Sequence, residues 1–213
     1  MDPAQLPNAV TERVTIPVKG GAEDWKEQLQ YMLQALGRQP GYLRTRWGPW
    51  TEDQQKLELL TGWTDVEANE KWMKSKDYTD TMATLAPVLD GQPSSYLLRF
   101  MPHAPQAVID SPIVETVTFE DFNEPPEKMR EVVERAARIP GCNGVASGYS
   151  LQCPANSGRE DGRDNVGRTF FAAIGWINLE ASRAADKSAY TGGMKAESHH
   201  VDFSFPVKGF GRL

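Results

Sequence analysis

The sequence contains little cysteine and histidine and no long apolar segment. Its 213 residues include two cysteines and three histidines, and no apolar run approaches the roughly 20 residues needed to span a bilayer. The N-terminal residues lack the basic segment followed by an apolar one that marks a secretion signal. These absences predict a cytoplasmic protein without a membrane partner, in which Cys142 and Cys153 are free thiols without a catalytic role.

Basic residues are also in the minority. The chain has 23 Lys and Arg against 29 Asp and Glu, a formal net charge of −6. Nucleic-acid-binding proteins usually present a basic face, so this balance argues against a nucleic-acid partner. Hydrophobic residues make up 39% of the chain and charged residues 24%, which is typical of one large or two small packed domains.

An internal repeat is the most informative feature that the sequence does have. The segment Gly62–Ala68 (Gly-Trp-Thr-Asp-Val-Glu-Ala) recurs as Gly175–Ala181 (Gly-Trp-Ile-Asn-Leu-Glu-Ala), and Arg38–Gly41 recurs as Arg138–Gly141. The offset grows from 100 to 113 residues because the second half carries a polar insert, Cys153–Asn165. We predict a surface loop or a lid for this insert. Two long copies indicate a gene duplication rather than a solenoid.

Each half is predicted to run strand, helix, strand, strand, helix, strand. Hydrophobic periodicity and turn residues give strands at 12–18, 42–47, 57–63 and 95–101 and helices at 22–36, 65–76 and 79–85 in the first half. In the second half they give strands at 113–119, 144–151, 169–176 and 198–205 and helices at 126–138 and 179–188. The predicted domains are therefore residues 1–101 and 113–213, joined by a proline-rich linker at 102–112.

This order predicts the α+β class with two ferredoxin-like βαββαβ repeats. Each repeat would form a four-stranded antiparallel sheet with both helices on one face. The uncovered faces of the two sheets are expected to pack against each other, which leaves a central ligand space walled by strands.

The chain resembles the antibiotic-biosynthesis-monooxygenase type of dimeric α/β barrel. The resemblance is carried by a Pro-Gly pair before a strand, by Gly62–Ala68, by Trp72 and by Ser75–Tyr78, and it extends over residues 10–101 and 112–206. It implies a family homodimer fused into one chain. Members of that family include cofactor-independent oxygenases of polycyclic phenols, haem-degrading enzymes, polyketide cyclases and stress proteins without known activity.

The sequence predicts no cofactor and no metal. The haem-degrading branch of the family places a histidine on the second helix, whereas the corresponding positions here are Trp72, Met73, Ala185 and Asp186. Neighbouring residues of a strand point in opposite directions, so His199 and His200 are not expected to bind one metal ion. No flavin, nicotinamide or phosphate-loop motif is found.

Strand alternation predicts which side chains face the central space. Apolar residues are expected to face the helices, and the polar residues that alternate with them to face the ligand. The residues predicted to line the space are Thr15, Arg44, Arg46, Arg99, Thr118, His200 and Asp202. Because the repeat has Gly144 and Ala146 where the first half has Arg44 and Arg46, the two walls differ, which favours an asymmetric ligand.

A reaction by proton abstraction follows from these side chains. Arg99 would stabilise a developing oxyanion, and His200, paired with Asp202, would act as the general base. Four aromatic residues and the polar residues Thr15, Thr118, Arg44 and Arg46 would bind the substrate, the aromatic ones being Trp63, Trp176, Tyr78 and Tyr190. Each also has a structural interpretation: ion pairs for the arginines and Asp202, a solvated strand end for His200, and packing for the aromatic rings.

The predicted function is that of a cofactor-independent oxygenase acting on an aromatic or polyketide-like small molecule of secondary metabolism. Two alternatives stay open: a cyclase or isomerase that uses the same base without O₂, and a non-catalytic stress-response barrel that binds a small molecule. Further homodimerisation of the fused barrel also stays open.

Overall fold

The computed structural model describes residues 7–102, 105–120, 122, 124–151 and 169–204. The predicted insert Cys153–Asn165 lies outside these residues, as does Cys153 itself. Cys142 is a half-buried free thiol. None of the described helices is both long enough and apolar enough to cross a membrane.

The first repeat contains four strands and three helices in the predicted order. They are β1 (Val10–Pro17), α1 (Ala22–Gly37), β2 (Tyr42–Pro49), β3 (Lys56–Trp63), α2 (Val66–Met73), α3 (Lys76–Leu85) and β4 (Ser94–Met101), with a 3-10 turn at Ala86–Val88 between α3 and β4.

The second repeat follows the same order after a short helix. Its elements are α4 (Gln106–Ile109), β5 (Ile113–Phe119), α5 (Pro126–Val133), β6 (Cys142–Ser150), β7 (Phe170–Trp176), α6 (Leu179–Ala184), α7 (Lys187–Thr191) and β8 (Glu197–Val201), with a 3-10 turn at Glu134–Arg138 after α5. Helix α4 lies within the segment predicted as a linker.

Side-chain caps divide the second helix of each repeat in two. The predicted helix 65–76 begins after Asp65, whose Oδ1 accepts a hydrogen bond from Ala68 N at 2.8 Å. It is interrupted at Ser75, whose Oγ accepts from Tyr78 N and caps α3. In the second repeat Asp186 caps α7 in the same way through Ser188 N. A capped N-terminus is energetically preferred to a continued helix at these serine and aspartate positions.

The predicted α+β class with ferredoxin-like repeats is confirmed. The hydrogen-bonded strand order is β2-β3-β1-β4 in the first repeat and β6-β7-β5-β8 in the second. Pairing of β3 with β1 and β2, and of β7 with β5 and β6, is antiparallel. This is the order that two consecutive βαβ crossovers with a central hairpin produce.

The chain forms two compact units. The first unit consists of two segments of the chain and the second unit of one. The first contains the chain up to Ser95 and again from Val201 onward, and the second contains Tyr96–His200. Within the second unit, residues 98–101 of β4 pair with β6. Within the first, Val201 forms a bridge with Trp50.

The glycine of each Pro-Gly pair explains why this motif occurs in both repeats. Gly41 and Gly141 have φ angles of 80° and 89°, which residues with a Cβ rarely adopt. A Cβ at Gly41 would lie 2.5 Å from the Cβ of Ala68, and one at Gly141 would lie 2.8 Å from the Cβ of Ala181. The turn before β2 or β6 is therefore pressed against the start of α2 or α6.

The apolar core of each unit lies between its sheet and its helices. In the first unit the apolar side chains on one side of α1 are buried. One of them, Trp25, contacts Trp47 of β2 edge-to-face, with 6.0 Å between the ring centroids. In the second unit Met129 and Val133 of α5 pack with Phe119 and Phe170 of the sheet. Burial of such residues is the main favourable term for this layer arrangement.

Candidate functional site

A buried carboxylate, Glu12, lies at the centre of the first repeat. Glu12 follows Val10 and precedes Val14 in the strand alternation of β1, so it points towards the helix-covered face. Glu12 is 6% exposed. Its Oε2 accepts hydrogen bonds from Nε1 of Trp63 at 3.2 Å and from Nδ2 of Asn69 at 2.9 Å. Strand β3 and helix α2 thus each supply one donor to the same oxygen.

Glu12 titrates near neutrality. Burial raises the pKa of Glu12 from 4.5 to about 7, and the hydrogen bonds from Trp63 and Asn69 lower it only in part. Tyr78 of α3 is half-buried, and burial together with the charge of Glu12 raises the pKa of its phenol. Tyr78 also contacts the ring of Trp72 edge-to-face at 5.4 Å.

Glu115 occupies the equivalent place in the second repeat and has many more partners. It is completely buried. Its Oε2 accepts hydrogen bonds from Trp176 Nε1 at 3.1 Å, Ser182 Oγ at 3.0 Å and Tyr190 OH at 3.0 Å. Its Oε1 accepts from Ser198 Oγ at 2.6 Å and pairs with Lys187 Nζ at 2.9 Å. Both carboxylate oxygens are therefore occupied.

These partners keep Glu115 ionised. Burial opposes ionisation, but the hydrogen bonds of Ser198 and Lys187 and the charges of Lys187 and His200 outweigh it, so the pKa of Glu115 is lower than usual. The phenol of Tyr190 responds in the opposite direction: burial and the negative charge of Glu115 raise its pKa.

The prediction that His200 faces the central space, away from the helices, is wrong. Nε2 of His200 lies 2.8 Å from Oγ of Ser182 on α6, and the residue is 4% exposed. Ser198, two residues earlier, bonds to Glu115 from the same side. The prediction placed the apolar Val201 under the helices, but Glu115 is buried there and requires polar partners, so the polar residues of β8 face it.

The predicted sheet face of Arg99 is also wrong. Arg99 is paired in register with Tyr149, and Tyr149 is paired with Phe170. Because directly opposed residues of neighbouring strands lie on the same face of a sheet, Arg99 shares a face with Phe170. Phe170 belongs to the core under the helices. The error arose because Leu97 and Leu98 are both buried, so β4 is apolar on both faces and hydrophobicity does not distinguish them.

Asp202 follows β8 and caps a turn, its Oδ1 accepting a hydrogen bond from Ser204 N at 2.8 Å. The catalytic roles expected of Arg99, His200 and Asp202 therefore stay predictions, and two of the three side chains do not have the predicted orientation.

Arg44, Arg46 and Thr15 lie on the sheet face opposite Glu12. Arg44 and Arg46 are paired in register with Gly62 and Leu60, and Leu60 with Arg13. Arg13 makes two 3.0 Å hydrogen bonds to the buried carboxylate of Glu58 on that face. In the second repeat Thr118 is paired with Phe171, on the face away from Phe170. Their binding roles also stay predictions.

The predicted aromatic residues are brought to the two carboxylates. Trp63 lies beside Glu12 and Tyr78 close to it, whereas Trp176 and Tyr190 both donate to Glu115. Trp63, Trp176 and Tyr190 are 0% exposed. Packing and hydrogen bonding to a carboxylate thus account for the position of these three rings.

Neither carboxylate is among the residues predicted to form the site, although the sequence contains a signal for both. Val-Thr-Glu-Arg-Val-Thr-Ile at 10–16 corresponds to Ile-Val-Glu-Thr-Val-Thr-Phe at 113–119, so a charged residue interrupts the apolar side of the first strand in both copies. A charge at a core position is rare unless it has a partner or a function. Asn69 and Ser182, which bond to Glu12 and Glu115, are likewise equivalent in the repeat.

No group of three or more histidine, cysteine, aspartate or glutamate residues that could hold a metal ion is found in the part of the chain that the structure describes.

The fold is that of known monooxygenase-like proteins. An anthrone oxidase-like protein matches with a TM-score of 0.66 and 11% identity, over 93% of this chain and 92% of that chain. A candidate monooxygenase from Fusobacterium nucleatum matches with a TM-score of 0.57 and 14% identity, over 92% of both chains. Another from Lactobacillus acidophilus NCFM matches with a TM-score of 0.55 and 14% identity, over 91% and 93%. No curated protein sequence matches this chain.

The family resemblance is confirmed in the first repeat. Residues 9–84 match the model of the family described as antibiotic biosynthesis monooxygenase. The first repeat is thus similar to the domain of this family, and the matched segment contains Glu12, Trp63, Asn69 and Tyr78.

Proposed function

We propose that the protein is a cofactor-independent oxygenase that removes a proton from an aromatic or polyketide-like small molecule and lets the resulting anion react with O₂. The observation that carries this proposal is the family match over residues 9–84. Within that segment a buried carboxylate, Glu12, titrates near neutrality beside the indole of Trp63, which is the property required of a general base. A place in secondary metabolism is part of the same proposal.

The proposed reaction converts an activated CH₂ group into a ketone. A base takes one proton and leaves the electron pair on carbon. The carbanion reduces O₂ and combines with it, forming a C–O bond, and the peroxide is protonated. Loss of water from the hydroperoxide then gives the ketone, so that R₂CH₂ and O₂ become R₂C=O and H₂O. The carbon loses four electrons and O₂ gains four, and no other oxidant is needed.

Aromatic side chains lie around Glu12. Trp63 contacts Tyr42 edge-to-face at 6.2 Å, and Trp72 contacts Tyr78. Aromatic groups interact favourably with one another in offset or edge-to-face geometry. Anthrone, a tricyclic aromatic ketone with an activated CH₂ group, therefore serves as the probe substrate.

The test is an oxygen-electrode assay with anthrone and purified protein. We expect protein-dependent uptake of one O₂ per anthrone, formation of anthraquinone, and no turnover without O₂. Turnover that continues without O₂ would instead support a cyclase or isomerase. Binding of anthrone without any turnover would support a non-catalytic barrel, and neither binding nor turnover with anthrone and related phenols would refute the proposed substrate class.

A further inference from the structure

One oxygen of Glu12 accepts no hydrogen bond from the residues that the structure describes. Trp63 and Asn69 both donate to Oε2, and among the described residues no donor reaches Oε1. No described lysine or arginine forms an ion pair with this carboxylate. A carboxylate oxygen has about two lone-pair directions, so Oε1 can accept a proton that comes from outside the chain.

The equivalent residue in the second repeat shows how a structural carboxylate is satisfied at this position. Glu115 has the same indole donor, Trp176, but four further partners, among them Lys187, and both of its oxygens are used. Buried polar groups are almost always satisfied in this manner. In the first repeat the glutamate and the tryptophan are retained and Asn69 takes the place of Ser182, but no described side chain donates to Oε1 as Ser198 and Lys187 do in the second. A purely structural role does not explain this difference.

We propose that Glu12 is the catalytic base of the first repeat, accepting the substrate proton on Oε1 while Trp63 and Asn69 hold Oε2 in place. This inference rests on the proposed function. Glu12 takes the proton from the CH₂ group of the substrate, and the electron pair remains on the substrate carbon. The protonated carboxyl group later returns this proton to the peroxide. Glu12 is thus unchanged over a complete reaction.

Trp63 and Asn69 act as positioning residues in this proposal. Two donors on one oxygen fix the orientation of the carboxylate plane and partly stabilise its ionised form. Tyr78 of α3 is the titratable side chain that responds to the charge of Glu12, while β3 and α2 contribute the uncharged donors Trp63 and Asn69. Removing the amide of Asn69 is expected to make Glu12 less acidic.

The first experiment compares Glu12→Gln with a matched change in the second repeat, Glu115→Gln. Glutamine keeps an oxygen for Trp63 and Asn69 but cannot accept the proton, so we expect kcat for anthrone oxidation to fall by about 10²–10⁴-fold, the usual contribution of a general base. Glu115→Gln is expected to change kcat less than threefold. Should Glu115→Gln fail to fold, Ser198→Ala replaces it, since that change removes one donor from the same carboxylate.

The second experiment measures kcat/KM against pH for the wild type and Asn69→Ala. The wild-type profile is expected to rise tenfold per pH unit and to level off near pH 7, because Glu12 must be ionised to act. In Asn69→Ala the midpoint is expected to move to higher pH. A structural role of Asn69 would lower activity without moving the midpoint.

The outcomes separate this inference from the proposed function. If the wild type consumes no O₂ with any substrate of the class, the proposed function fails. If the wild type is active and Glu12→Gln keeps its kcat and its pH profile, the oxygenase assignment stands and Glu12 is not the base.

Discussion

The two repeats contain the same carboxylate–indole pair in opposite electrostatic states. Glu12 and Glu115 both accept a hydrogen bond from the tryptophan at the end of a neighbouring strand. Only Glu115 also forms an ion pair with Lys187. The pKa of Glu115 is lowered, whereas the pKa of Glu12 is raised to about 7. The comparison shows that the charged and hydroxyl partners of a buried carboxylate, rather than its burial, decide whether it is a fixed anion or a titrating group.

The two carboxylates also differ in what it costs to change their charge. The second repeat contains a buried ion pair whose hydrogen bonds are all made, and such a pair is costly to disrupt. The first repeat contains a buried acid without a counter-charge. Near its pKa, the neutral and the ionised form of such an acid differ little in free energy.

Disruption of the Glu115 centre is expected to have the largest effect on stability. Glu115→Ala leaves Lys187, Trp176 and Tyr190 without their common acceptor, and loss of one partner of a buried pair costs about 3–5 kcal/mol. The urea midpoint at pH 7 measures this loss. A decrease of the free energy of unfolding by less than about 1 kcal/mol would show that the second repeat does not depend on its anion.

The pH dependence of stability should have opposite signs for the two carboxylates. The pKa of Glu12 is higher in the folded than in the unfolded protein, so its contribution to stability is complete below pH 4.5 and is lost as the pH rises through about 7. The contribution of Glu115, whose pKa is lowered, is present above the ordinary glutamate pKa and is lost as the pH falls through its folded value.

Glu12→Gln isolates the first of these contributions. Relative to the wild type, this variant is expected to gain about 3 kcal/mol in free energy of unfolding between pH 4.5 and pH 8, from 1.36 kcal/mol per pKa unit. Urea titrations of both proteins at several pH values measure the gain. A difference that does not change with pH would mean that Glu12 is ionised over the whole range in the folded state.

The smallest effect is expected where the repeats are alike. Oδ1 of Asp65 accepts from Ala68 N at 2.8 Å, and Oδ1 of Asn178 accepts from Ala181 N at 2.8 Å. Alanine at either cap is expected to cost about 1 kcal/mol. Urea midpoints of Asp65→Ala and Asn178→Ala should therefore decrease by similar amounts, and a large inequality would show that the helices that follow differ in their tertiary support.

Local sequence patterns were sufficient to predict the order of elements, because caps, Pro-Gly turns and alternation act over a few residues. The strand 113–119 agrees with β5 at both ends. The orientations of Arg99 and His200 could not be obtained in this way. Leu97 and Leu98 are both buried, as are His200 and Val201, so these strands are covered on both faces and their alternation carries no information on direction.

The partners of Glu115 also required the structure. Ser182, Lys187, Tyr190 and Ser198 lie at different places in the sequence, and nothing in their spacing indicates that they surround one carboxylate. The glutamate itself was visible as a charge in an apolar alternation, in both copies. A charged residue at a core position is a stronger candidate for a functional site than the polar residues that alternate with it.

The chain passes between its compact units at Ser95–Tyr96 and again at His200–Val201. Cleavage of the backbone within residues 102–112 would accordingly leave neither fragment with a whole unit: the N-terminal fragment would carry residues 96–101 of the second unit, and the C-terminal fragment would carry Val201, whose bridge partner Trp50 lies on the N-terminal fragment. Each of two separately expressed halves would therefore be incomplete, and the chain is expected to tolerate point substitutions far better than fission within this segment.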